Sequence, residues 1–352
     1  MDPSAVNINV TVDDFDSVLS YSDPSVWQTP DPSSSSFDAR NMPWLMGTYH
    51  RTDVVGASLT FNFTGPSLYI YGHAGPAYGS YEVDIDANTT TASAYAPTNA
   101  SGPVLLFGSK TLAYAPHTLT LRNLGAKDGD KGGNGFLFDY LQTTVQLAPT
   151  GANVTNKTYE EDNSALTYAG QWNTNKSPNF SAGGTAYTNQ DKASVSLTFS
   201  GSAVYVFGDK KNDHGLYRVV LDNKTAEVYN GISGCGGAFA PTCEQQKPTL
   251  EYFASNLDSS THTLRIENIA GANNSFFDLD SIVVTIPTVY APRELSGPSS
   301  TSGTYGLPPN KPPPASPSGD PRGNSAIMVL PSANLLLLVW VFGMFSWSPG
   351  RW

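Results

Sequence analysis

The sequence predicts an all-β chain of two tandem domains, and three observations predict it. A long stretch occurs twice: Ser67 to Asp86 and Ala203 to Asp222 align without a gap at an offset of 136 positions. Tyr69/Tyr205, Gly72/Gly208, Gly79/Gly215, Tyr81/Tyr217, Val83/Val219 and Asp86/Asp222 are identical. A repeat this long is one structural unit used twice. Charged residues make up only 14%, whereas Gly, Pro, Ser, Thr, Asn and Tyr are abundant, the composition of many short strands joined by turns. The length, 352 residues, exceeds the usual size of one hydrophobic core and fits two domains of about 140 residues.

Within each copy an apolar run, Leu68 to Tyr71 or Val204 to Phe207, stops at a glycine, crosses a polar loop and restarts as Tyr-x-Val-x-Ile/Leu-Asp. The second run alternates at period two, so it is a strand buried on one face. The apolar positions read as core, which leaves the loops His73 to Ser80 and Asp209 to Leu216 free to carry function.

In chain order, Asn7 to Val12 reads as a first strand, followed by the acidic opening Asp13-Asp14-Phe15-Asp16. The second copy opens likewise with Glu160-Glu161-Asp162. The copies rejoin after the core stretch at His117 to Asn123 and His262 to Asn268, and both close with an Asp inside an apolar strand, Asp139 and Asp280. The expected boundaries are domain one at 1–148, domain two at 149–290, a Pro/Ser/Gly-rich stalk at 291–326 and an apolar segment at 327–352.

The balance of 19 Lys+Arg against 30 Asp+Glu gives a net charge of -11, which argues against a nucleic-acid partner. Ten Asn-x-Ser/Thr sequons, at Asn9, Asn62, Asn88, Asn99, Asn153, Asn156, Asn175, Asn179, Asn223 and Asn273, suit a secreted glycoprotein. Met1-Asp-Pro-Ser carries no signal-peptide pattern, so the expected cell-surface or extracellular location rests on the sequons and the tail. Cys235 and Cys243, close together in one Gly-rich loop, read as a short-range disulfide. The tail reads as a membrane attachment. A glycosylphosphatidylinositol signal at Ser318-Gly319-Asp320 is preferred to a spanning helix, because only seven residues with one Arg follow Phe345.

Stacking on a sugar needs an exposed aromatic face with polar groups at its edge. The loop residues Trp44, Tyr49, Tyr78, Tyr114, Tyr187 and His214 are the candidates. Trp27 and Trp172, repeated after a strand-like run, read as packing residues. Trp44 and Tyr78 read as having no aromatic counterpart in the other copy, which favours them as site-specific. His117 and His262 read as strand caps. No Gly-x-Ser-x-Gly, His-Glu-x-x-His or phosphate loop occurs, and Glu82 and Glu267 are not matched by a second carboxylate.

The acidic openings, the Gly-x-Tyr-x-Val-x-Ile/Leu-Asp strand, the His-Thr-Leu-x-Leu/Ile strand and the closing Asp strand together resemble the galactose-binding-like jelly-roll modules, a β-sandwich used by many carbohydrate-binding modules. The tandem arrangement with stalk and apolar tail also resembles a surface-protein layout of mushroom-forming fungi. The resemblance implies two jelly-roll β-sandwiches. It also implies a structural calcium ion (Ca) joining Asp14 to Asp139 and Glu161 to Asp280, hard oxygen ligands that suit that ion. The expected function is a non-catalytic, glycosylated cell-surface protein binding or packing against carbohydrate. The alternative is a structural coat or adhesion protein with protein partners, and a secreted hydrolase ranks below both.

Overall fold

The computed structural model describes residues 2–127, 131–235, 243–244 and 247–295. Among them no α-helix occurs; strands are joined by turns and by short 3-10 segments. The first sandwich has one sheet in the order Val6–Asp13, Phe136–Ala148, Leu68–Gly72, Val104–Ser109, with His50–Thr52 pairing to the start of Phe136–Ala148. Its other sheet runs Ser20–Tyr21, Ser58–Thr64, Pro116–Gly125, Ser80–Ile85, Asn88–Ser93. All pairings are antiparallel.

The second sandwich repeats this order. One sheet runs Val154–Glu160, Ser281–Pro287, Ala203–Gly208, Thr249–Ser255; the other runs Leu166–Ala169, Ser194–Phe199, His262–Ile269, Leu216–Leu221, Glu227–Asn230. A further small sheet, Asn173–Lys176, Gly184–Thr188 and Phe277–Leu279, closes one end. The two strands of each repeated stretch therefore lie in opposite sheets, and the loop between them crosses the sandwich edge.

Alternation makes these strands. Along Ser80–Ile85 the residues Tyr81, Val83 and Ile85 are buried and Glu82 and Asp84 are half-buried. The inward residues meet Leu68, Ile70, Leu141 and Val145 from the facing sheet. At ~25 cal/mol per Å2 of apolar surface removed from water, this interdigitation is the main stabilising term.

Duplicated polar struts fix the turns. Asp86 and Asp222 both take up the left-handed region, φ 52 and 54, at the hairpin tips. Each accepts from a histidine Nδ1, of His117 and His262, and from the next backbone amide, of Thr118 and Thr263. The second ring nitrogens face the carbonyls of Ala113 and Asp258. The strand-cap reading of both histidines matches this geometry.

The sandwiches share a buried seam. Asp16 of the first accepts from the Leu250 amide of the second at 2.7 Å and from its own Asp13 amide at 2.9 Å. Lys210 of the second, buried, points its ammonium at the Asp16 carbonyl, 3.4 Å away. Phe15 packs against Cys235 and Cys243, which are joined as a disulfide with Cα atoms 5.7 Å apart. Ser33 exchanges hydrogen bonds with the Glu244 backbone, and the rings of Phe61 and Phe253 lie 6.1 Å apart. Arg293, where the Pro/Ser/Gly-rich region begins, clasps Gln146 of the first sandwich and Asn256 of the second.

Ser318, the apolar segment and the stalk beyond residue 295 lie outside the described residues. Among the described residues no helix is long and apolar enough to cross a membrane.

Asp16→Ala removes the acceptor of two buried amides, a loss of about 1–3 kcal/mol for each. Calorimetry of the variant is expected to show a lower melting temperature, with the single transition split as the sandwiches uncouple. An unchanged transition would contradict a seam held by Asp16.

Candidate functional site

The turn that hydrogen-bonds to each closing Asp is built the same way twice. Trp44 and Phe180 stand at the N-cap of one-turn segments, Leu45–Gly47 and Ser181–Gly183, whose second residues have positive φ. The Leu45 and Ser181 amides donate to Asp139 and Asp280, at 3.0 and 2.7 Å. Trp44 thus does have an aromatic counterpart, Phe180, which the 136-position offset also places there, and the reading that it had none is corrected. The two differ in exposure: Phe180 is buried, whereas Trp44 is half-exposed.

Around Trp44 the first sandwich gathers an aromatic group. Its ring lies 5.4 Å from Tyr49 and 5.3 Å from His73, and His73 lies 4.9 Å from Tyr78, all edge-on. Trp44 and Tyr49 are half-exposed, while His73 and Tyr78 are buried beneath them. His73 Nδ1 has no hydrogen-bond partner, and burial lowers its pKa, so the imidazole is neutral near pH 7. Burial raises the Tyr78 phenol, and the neighbouring Arg51 guanidinium opposes that rise.

The other predicted ligand residues lie apart from this group. Tyr114 is buried, 5.1 Å beneath the Arg293 guanidinium, and its hydroxyl accepts from the Gln146 amide. Tyr187 and His214 flank Phe276 in the second sandwich, at 6.0 and 6.4 Å. Trp27 is buried and Trp172 half-buried, each edge-on to a tyrosine, Tyr21 and Tyr168. Of the sequon asparagines, Asn62 and Asn179 are half-buried and the other eight are exposed.

Two buried acidic groups could hold a metal ion. Asp13, Asp14 and Asp139 bring one carboxylate oxygen each within 4.8 Å of one another. Asp14 accepts from Thr48 Oγ1 and meets His50 Nδ1, each at 2.7 Å, while Asp13 Oδ1 and Asp139 Oδ2 have no hydrogen-bond partner. Asp13 was not foreseen as a ligand: alternation with the inward Val10 and Val12 assigns it to the opposite face, and the run of adjacent acids Asp13-Asp14 was the available signal. The second group is Asp209, His214 and Asp278. Glu161 and Asp280 are placed differently: Glu161 meets Lys176 Nζ at 3.3 Å, across Gly184 where the first sandwich has Thr48. Asp280 accepts from Ser181 and Ser281.

Charge burial perturbs these groups strongly. Burial pushes Asp139 up to about 8 and Asp16 up to about 7, and it raises Asp13 and Asp14, with Asp13 driven further by its acidic neighbours. Lys210 is pulled down to about 8 by burial although Asp16, Asp14 and Asp13 oppose this. His50 is lowered by burial and then by Lys210, so it is neutral and orients Asp14.

No protein-family model matches the chain. Two curated proteins of Flavonifractor plautii are similar to it. One is named A type blood alpha-D-galactosamine galactosaminidase, 29% identical over 73% of this chain and 21% of its own length. The other is named A type blood N-acetyl-alpha-D-galactosamine deacetylase, 29% identical over 45% of this chain and 19% of its own length. The chain thus spans about a fifth of the length of these relatives. Similar solved structures include a family 35 carbohydrate binding module from Clostridium thermocellum, 13% identical, TM-score 0.27, over 36% of this chain and 98% of that one. A Podospora anserina β-(1,4)-mannanase is 16% identical, TM-score 0.28, over 40% of this chain and 28% of that one. Likenesses of that size say nothing about activity.

The curated relatives overturn two expectations. The non-catalytic surface binder, with its coat or adhesion alternative, is overturned because both relatives are named for enzymatic activities on galactosamine-type sugars. The expectation that the chain is no enzyme falls with it. The physical reason is that catalytic groups assemble from separate strands and loops, so a missing contiguous motif excludes little.

The raised carboxylates set a pH dependence. Their folded pKa values exceed the ordinary ~3.9, so folding takes up protons and the unfolded chain binds fewer between the two values. In chelator-treated protein the melting temperature is therefore expected to fall as pH rises from about 4 towards the Asp16 and Asp139 values of about 7 and 8. Thermal melts across that window check it, and a rising melting temperature would sink it.

Proposed function

We propose that this chain is a carbohydrate-active enzyme that acts on glycans bearing galactosamine-type sugars. The observation that carries the reading is the half-exposed step of Trp44 and Tyr49 over His73 and Tyr78, together with similarity to two enzymes named for such sugars. A pyranose is apolar on one face and polar at its rim, so it stacks on a tilted aromatic pair while rim hydroxyls seek buried polar atoms. The unpartnered His73 Nδ1 supplies such an atom beneath the step, and Arg51 stands beside Tyr78.

The test is turnover by the full chain of α-linked galactosaminide and N-acetylgalactosaminide glycosides, followed by sugar release and by acetate release. Turnover of at least one is expected. In Trp44→Ala, the loss of stacking worth about 1.4 kcal/mol corresponds to a tenfold rise in KM. Absence of both products from both substrates would refute the reading.

Asp13, Asp14 and Asp139 fit a calcium ion. Their donors are hard carboxylate oxygens, two of them lack any partner, and the site ties the first strand to the closing one. The ion would supply positive charge to the acidic group and hold the turn that carries Trp44, since the Leu45 amide already rests on Asp139. Calcium at a hundredfold excess over its Kd is expected to stabilise the chain by about 2.7 kcal/mol, and Asp139→Asn to abolish the effect. Identical melting in calcium and in EDTA would contradict the site.

A further inference from the structure

The loop that crosses the second sandwich differs from its repeat in a concerted way. Where the first sandwich has His73, Tyr78, Leu106 and Leu137, the second has Asp209, His214, Glu251 and Asp278. The equivalence rests on shared contacts. Tyr81 and Tyr217 donate to the carbonyls of Leu106 and Glu251, and a Cβ on Gly72 or Gly208 would strike those same side chains. It would also strike the carbonyls of Leu137 and Asp278. Three carboxylates and one imidazole thus replace an imidazole, a phenol and two leucines at the same places.

These four side chains are buried and poorly served by the protein. Asp209 is 4% exposed, His214 8%, Glu251 1% and Asp278 4%. One ligand atom each from Asp209, His214 and Asp278 lies within 4.8 Å of the others. Asp209 Oδ1, His214 Nε2, Asp278 Oδ1 and both oxygens of Glu251 have no hydrogen-bond partner. Glu251 is raised chiefly by burial and next by the charges of Asp278 and Asp209, so its carboxylate faces the same group. The nearby cations are committed: Lys211 to Glu244 at 3.0 Å, and Lys210 to the seam.

His214 is oriented for ligation. Its Nδ1 meets Asp213 Oδ1 at 2.9 Å, which leaves the buried Nε2 free. A carboxylate holding the far nitrogen of an imidazole fixes the tautomer and directs the other lone pair at an ion. The backbone supports the placement, since the His214 strand bridge to Phe276 brings the loop beside Asp278.

We propose that Asp209, His214 and Asp278, with Glu251 as a further oxygen donor, form a site for one first-row transition-metal dication, of the zinc or manganese class. Mixed nitrogen and carboxylate donors select such ions over calcium or magnesium, which take oxygen alone. Bonds of ~2.0–2.2 Å draw the ligand atoms together with a small side-chain shift. The ion neutralises a buried surplus of carboxylate charge. It also pins the crossing loop to the strands carrying Asp278 and Glu251. The site goes beyond the proposed activity, and its test does not depend on turnover.

The experiment is Mn2+ titration of the full chain, read by equilibrium dialysis and by pulsed electron paramagnetic resonance for coupling to an imidazole nitrogen. The expected result is one manganese ion with a single nitrogen coupling. That coupling is lost in His214→Gln and kept in His73→Gln, the matching residue of the first sandwich. If His214→Gln does not fold, Asp213→Asn serves in its place, with an expected 10–100-fold loss of affinity for the nitrogen-coupled ion. Manganese bound without nitrogen coupling, no bound manganese, or a coupling indifferent to both variants would overturn the proposal.

Discussion

Carboxylates buried beyond what the protein's own cations can neutralise are the constraint on which the rest of the structure depends. Asp13, Asp14, Asp16 and Asp139 crowd one end of the first sandwich, with the single ammonium of Lys210 reaching in from the second. Asp209, Glu251, Asp278 and Asp280 crowd the second in the same way. An unpaired buried charge is costly enough that the group is expected to be protonated, hydrogen-bonded or bound to an ion. Asp16 is satisfied by two amides and so becomes the seam; Asp14 is satisfied by Thr48 and His50. The oxygens left over, on Asp13, Asp139, Asp209, Glu251 and Asp278, mark where a cation is missing from the protein's own inventory.

Duplication separates scaffold from site. The Asp–His struts at both hairpin tips, the amide contacts to Asp139 and Asp280, and the buried Asn123 and Asn268 bridging loop carbonyls recur in both sandwiches. Features that recur at the same place in two sandwiches serve the fold. The differences collect at one edge: an aromatic step over a neutral histidine in the first sandwich, a histidine among carboxylates in the second. One framework thus carries an aromatic step in one sandwich and a histidine among carboxylates in the other.

Much of the scaffold was legible in the sequence, because alternation and glycine-bounded runs are local signals. The strands Leu68–Gly72, Ser80–Ile85, Ala203–Gly208 and Leu216–Leu221 follow from the repeated stretch. The Cys235–Cys243 bond follows from short spacing in a flexible loop. The meeting of Asp14 with Asp139 was approachable, since an Asp inside an apolar strand needs a partner. Asp278, in Phe276-Phe277-Asp278-Leu279, and Glu251, in Leu250-Glu251-Tyr252-Phe253, carried that same signal and were passed over. Lys210 was not legible, because its partners lie 194 positions away across a seam that no local pattern announces.

The central claim is that the leftover buried carboxylates are cation seats. The most direct measurement is an anomalous-difference map from crystals of the chain grown with Mn2+. The account predicts a manganese peak among Asp209, His214 and Asp278, the seat that offers a nitrogen donor. A map featureless there, with those oxygens hydrogen-bonded to water or to one another, would contradict it.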